Sequence, residues 1–147
     1  MVGILIVSHG RLAEELLLAG TRIDASLAQQ SRALSLEWDV DNEVARAQIA
    51  KALKELDSGE GVVVLTDMFG GTPTNLSLGS LDPSKAELVT GVNLPMVVKL
   101  AALRRGSQLT LKALARAVAE KGQKSIYVAS DLLEHKGGKG SEIGKNR

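Results

Sequence analysis

The chain contains no cysteine, only two histidines and three prolines, and one each of Trp, Tyr and Phe in 147 residues. Without cysteine there is neither a disulfide framework nor a thiolate metal site. Two histidines, His9 and His135, cannot build a multi-histidine centre, so no metal is expected, and no other cofactor is called for. With aromatics at 2% the chain lacks the rings on which nucleobases stack. A formal net charge of +1 supplies no basic surface for nucleic acid or for a membrane. The apolar run from Val2 to Val7 is too short to span a bilayer and has no basic segment ahead of it, so it is no signal peptide. These absences point to a cytoplasmic protein with no nucleic-acid partner and no insertion into a membrane.

Hydrophobic residues make up 44% of the chain. With so few rings, the core has to be aliphatic, which suits a sheet covered by helices. The length fits one domain, expected over residues 1–130, followed by a flexible tail over 131–147 that is rich in Gly and Lys from His135 onward. Short apolar runs alternate with helical patterns, and there is no internal repeat. Residues 2–7 read as a strand buried on both faces and 11–19 as a helix. Residues 32–38, with Leu34, Leu36 and Trp38 alternating, predict a second strand. Asp41 can cap the next helix, in which Ala45, Ile49, Ala52, Leu53 and Leu56 share one face. Residues 61–66 predict a third strand, 74–81 a helix, and 87–92 a fourth strand. Pro95 fits the first turn of a helix running to about Arg104, and a further helix follows Ser107 and ends near Gly122. Residues 125–129 predict a last strand.

This alternation is the pattern of an α/β fold with an open, mostly parallel sheet and helices on both faces. With right-handed crossovers, the common small version has strand order 2-1-3-4-5. Its binding cleft lies at the carboxyl ends of strands 1 and 3, where the chain departs in opposite directions. Here those ends carry Ser8, His9 and Gly10 on one side and Asp67 to Thr72 on the other. Topology alone therefore brings His9 and Asp67 together.

An imidazole with one nitrogen unprotonated is a nucleophile at neutral pH. A carboxylate on the other nitrogen fixes the tautomer and steadies positive charge on the ring, a role Asp67 could fill. A phosphoryl group on His9 would need donors, and the helix start after His9 offers N–H groups and a positive dipole end. Gly10, Gly70, Gly71 and the Thr72 hydroxyl could complete a cradle, because glycine lets backbone approach a phosphate closely. Each residue also has a plainer reading. His9 could be a structural histidine, Asp67 a cap for the turn it begins, and the glycine pair a tight turn only. The glycines form no P-loop, since no Gly-Lys-Ser/Thr follows. Arg11 could meet a phosphate or lie solvated at the helix end, and His135 reads as solvated.

Three stretches resemble the IIA component of the mannose-family sugar phosphotransferase system. They are Ile4-Leu5-Ile6-Val7-Ser8-His9-Gly10, then Thr66-Asp67-Met68-Phe69-Gly70-Gly71-Thr72-Pro73-Thr74-Asn75, and Gly91-Val92-Asn93-Leu94-Pro95-Met96. They follow the family's order and spacing, and the similarity covers residues 1–130. The resemblance implies that His9 receives a phosphoryl group from the phosphocarrier protein HPr and donates it to a IIB component. It further implies that Asp67 is the hydrogen-bonding partner of His9 and that Gly71 and Thr72 line the site. It also implies a homodimer whose last strand, near residues 125–129, exchanges between subunits and pairs antiparallel. That pairing would account for so apolar an edge strand. Thr74 stands where the family usually has Phe, a change expected to alter the surface offered to a partner. No fused IIB domain is expected in this chain. The first alternative is a regulatory phosphohistidine protein uncoupled from sugar transport. A phosphodonor for dihydroxyacetone kinase ranks lower because its loop differs from residues 67–73. A flavodoxin-like binding module suffers from the lack of aromatics.

Overall fold

The computed structural model of the chain describes residues 1–68, 70–106 and 108–134. Four parallel strands form one sheet in the order β2-β1-β3-β4, as the topology rules predict. They are β1 (Gly3–His9), β2 (Ser31–Leu36), β3 (Val62–Thr66) and β4 (Ala86–Val89). Six helices accompany them among the described residues: α1 (Leu12–Ile23), α2 (Asn42–Leu56), α3 (Thr72–Ser80), α4 (Leu94–Gly106), α5 (Leu111–Lys124) and α6 (Ala129–Glu134). A single 3-10 turn, Ala25–Ala28, leads into β2.

The near-continuous apolar strands are explained by what lies on each face. Side chains alternate across a strand. Ile4 and Ile6 of β1, with Val63 and Leu65 of β3, pack with Ala13 of α1, Met96, Val97, Leu100 and Ala101 of α4 and Leu114 and Val118 of α5. Leu5 and Val7, with Val62 and Val64, pack on the other face with Ala45, Ile49, Ala52 and Leu56 of α2 and Leu76 of α3. Every second residue therefore feeds a different core, and both cores are aliphatic.

Helix starts follow local chemistry. The Asp41 carboxylate accepts from the Glu43 and Val44 N–H groups at the head of α2. Asn93 Oδ1 accepts from Met96 N–H, and Pro95 occupies the first turn of α4, where a missing donor costs nothing. Helix α3 opens two residues earlier than the pattern suggested, again with proline in its first turn. β4 is shorter than expected because the chain turns away at Gly91 (φ +75°), and Val92 N–H returns to Thr66 C=O at 2.9 Å.

The expected last strand is not formed within this chain. Ser125 closes α5 through its N–H to Gly122 C=O, residues 126–128 join no strand of the sheet, and Ala129 opens α6. Residues 131–134, assigned to the flexible tail, continue α6, and the rest of that tail lies outside the described residues. No helix among the described residues is long and apolar enough to cross a membrane.

Candidate functional site

Parallel pairing sets β1 and β3 side by side, with Val7 opposite Thr66, so both chains leave the sheet at the same end. His9 ends β1 and Asp67 follows β3, and the two meet. Asp67 Oδ2 lies 2.6 Å from His9 Nδ1 and also accepts from His9 N–H at 2.8 Å. Its other oxygen accepts from Met68 N–H at 2.9 Å. Asp67 thus caps its own turn and holds the histidine at once. In the neutral ring, with the carboxylate accepting, Nδ1 carries the proton and Nε2 carries the lone pair. Nε2 has no hydrogen-bond partner among the described residues.

The loop beneath is held by two buried hydroxyls. Thr74 donates to Met68 C=O at 2.6 Å, so the 2.7 Å contact between Thr66 and Thr74 has Thr66 as donor. Both threonines are fully buried. Thr74, expected to alter a partner-facing surface, instead lies inside and braces the loop that carries Asp67. Its small hydroxylated side chain suits a buried polar chain, where Phe could not hydrogen-bond.

The cradle residues divide. Gly71 packs on the ring: a Cβ placed there would come 2.9 Å from His9 Cε1. Gly70 has φ +82° with open space around it, the left-handed conformation glycine adopts without strain. Gly71 is the N-cap of α3, and Thr72, its first residue, lines the same small depression as His9. The N–H and hydroxyl of Thr72 have no partner among the described residues, so the positive end of α3 opens on the cleft. Gly10 differs, because its N–H donates to Leu36 C=O at 2.9 Å. In α1, Ala13 N–H is engaged by Ser8 Oγ at 2.6 Å and Glu14 N–H by Ser35 Oγ, while Leu12 N–H has no partner among the described residues. The start of α3 thus borders the depression that His9 lines, with Thr72 as its residue there. Arg11 points away, 80% exposed and paired with Glu14 and Glu15.

Sequence reasoning passed over Trp38. Its indole stacks on the His9 ring at a centroid distance of 4.9 Å and an interplanar angle of 22°. The expected strand order, with strand 2 beside strand 1, was the one partial signal, and the structure's register sets His9 opposite Leu36, with the residues just past β2 beside it. The depression lined by His9, Leu36, Glu37, Trp38, Thr72 and Pro73, among others, measures about 150 Å³. Sites for nucleotides and flavins are several hundred Å³, so this one suits a group of phosphate size.

The site is thus a carboxylate-held histidine at the carboxyl ends of the two central strands of an open parallel sheet. The model of one family, described as the PTS system fructose IIA component, matches residues 3–119, and the chain belongs to that family of phosphotransferase-system IIA components. It is 35% identical over 105 residues to the Escherichia coli (strain K12) protein YadI, provisionally named a phosphotransferase enzyme IIA component, with 71% of each chain covered. It is 34% identical over 102 residues to the PTS system mannose-specific EIIAB component of the same organism, covering 67% of this chain but only 30% of the relative. Among solved structures, the mannose/sorbose specific IIA subunit from Enterococcus faecalis superposes with a TM-score of 0.75 at 29% identity, over 86% of this chain and 93% of that one.

Proposed function

We propose that the chain is a phosphoryl relay of the phosphoenolpyruvate-dependent sugar phosphotransferase system, working in the cytoplasm. In this reading His9 takes a phosphoryl group from HPr and passes it to a IIB component. The observation that carries it is the 2.6 Å contact between His9 Nδ1 and Asp67, with Nε2 left unengaged. The Nε2 lone pair forms the new N–P bond, and the bond from phosphorus to the donor breaks with its electron pair leaving to the donor. The proton stays on Nδ1. The ring gains positive character, which the Asp67 carboxylate offsets at close range. The dianionic group meets the α3 terminus at Gly71 and Thr72, with Gly70 allowing close approach. Transfer to IIB reverses these bond changes, so positioning accounts for most of the catalysis.

The same reading includes a homodimer in which residues 126–128 pair with the partner's sheet edge. Two observations favour it: Ile126 and Val128 are 76% and 64% exposed, and among the described residues β4 pairs with β3 alone. Light scattering should give a dimer, and a monomer at micromolar concentration would remove this part.

The relay itself is tested by incubation with phosphoenolpyruvate, enzyme I and HPr, followed by intact-mass measurement. One acid-labile phosphoryl group is expected, absent in His9→Ala. A wild-type chain that takes none, with cognate partners present, overturns the proposal. Subsequent transfer to a cognate IIB separates a transport component from a regulatory protein with the same chemistry.

A further inference from the structure

Trp38 is the chain's one tryptophan, and it sits 80% exposed. An indole so exposed contributes little to a core, and Trp38 belongs to neither of the two hydrophobic clusters. Its defined packing is against the active-site ring. The chain leaves β2 at Leu36 and closes a turn from Glu37 C=O to Val40 N–H at 3.2 Å, which swings Trp38 over the end of β1. There it stacks on His9 and passes near Gly10, where a Cβ would lie 3.7 Å from the indole Nε1.

Three groups then define the imidazole. Asp67 holds Nδ1, Gly71 abuts Cε1, and Trp38 covers one face. The hydrogen bond fixes where Nδ1 lies but leaves the ring free to rock, because the histidine χ2 torsion is soft. The Nε2 lone pair lies in the ring plane, so rocking is the motion that would swing it off the line of attack on phosphorus. A stacked indole opposes that motion. We propose that Trp38 is a positioning residue that sets the plane of the His9 ring and so aims Nε2 at the incoming phosphoryl group. This inference rests on the relay reading and adds a residue to it. Trp38 acts through His9 and takes part in no bond change itself.

The test compares full-length Trp38→Phe, Trp38→Leu and Trp38→Ala with wild type. Proton NMR reads the stack without any phosphotransfer: the His9 ring protons should lie upfield in wild type and Trp38→Phe and move downfield in Trp38→Leu. The phosphorylation rate with HPr as donor reads the consequence. Trp38→Leu and Trp38→Ala should lower kcat by about three- to tenfold, the span of an aromatic pair's coupling, with KM within about twofold. Trp38→Phe should restore most of kcat. An unchanged kcat, an effect confined to KM, or equal rescue by Leu and Phe would overturn the inference. An effect in KM alone would make Trp38 a contact for the donor protein. A wild type that takes no phosphate overturns the relay and this inference together, whereas a phosphorylated wild type with unaltered variants overturns this inference alone.

Discussion

At the amino ends of β1 and β2 a buried arginine satisfies the backbone, while at the carboxyl ends of β1 and β3 polar groups are left facing outward. Arg104, 8% exposed, donates to the carbonyls of Val2, Ser26, Gln29 and Gln30 at 2.6–3.1 Å. Burial pulls its guanidinium below the ordinary arginine range, and nearby Asp24 partly opposes that. Gln30 adds amide bonds to the carbonyls of Met1 and Leu56. At the other end His9 Nε2 and the Thr72 donors have no partner among the described residues, and a large indole lies in solvent. One end spends its polar groups on holding strands together, and the other leaves several of them unengaged among the described residues. A parallel sheet with both faces covered has only its two ends for polar chemistry, so this division is where structure and function separate.

The comparison is broken most severely at Arg104. Arg104→Ala leaves several carbonyls without their shared donor and should cost about 3 kcal/mol of stability in urea unfolding. Phosphorylation of the folded fraction should be unchanged. A variant as stable as wild type would show that water replaces the guanidinium without loss. Asp67→Ala should do the reverse, slowing phosphorylation roughly ten- to hundredfold through a misplaced ring while the domain stays folded. Unchanged kinetics would remove Asp67 from the mechanism.

Gly71→Ala is a finer probe. Gly71 has ordinary extended backbone angles (φ −81°, ψ 165°), so alanine adds no backbone strain. Its methyl would press on His9 Cε1, and phosphorylation should slow about threefold, with stability within about 1 kcal/mol of wild type. Equal rates would mean that the ring moves aside freely.

The smallest effect concerns pH at the amino end. The Arg105 guanidinium and the Ser26 hydroxyl beside Asp24 lower its carboxyl from 3.8 to about 2. A carboxyl depressed on folding stabilises the native state above its unfolded value and loses that contribution as pH falls through the folded one. Stability should therefore decline between about pH 4 and 2, less so in Asp24→Asn. Parallel acid curves for the two proteins would exclude this pair as the cause.

Much of this was legible before any coordinates. The β1 and β3 runs, the Asp41 cap and Pro95 in its first turn are local signals, and they agree with the structure because each is satisfied by its immediate neighbours. The approach of His9 to Asp67 was legible too, since strand order alone determines it. The stack of Trp38 on His9 was not, because it depends on how a turn beyond β2 folds back across the neighbouring strand. Thr74 was misjudged for a related reason. Its burial is set by a hydroxyl partner, Thr66, eight residues away in the chain. The expected strand at residues 125–129 is one exchanged between subunits, and within this chain residues 126–128 join no strand of the sheet.

By itself, then, the order of residues determined an aliphatic two-faced sheet, its strand order, and the meeting of a histidine with a carboxylate at its carboxyl end. These follow from periodicity and handedness, which act over a few residues or through topology. Only the tertiary structure decided which helix start borders that histidine, which ring covers it, and where the buried Arg104 finds its carbonyls. Those depend on distances of a few ångströms between segments remote in sequence, and side-chain packing is settled only when all the segments are in place.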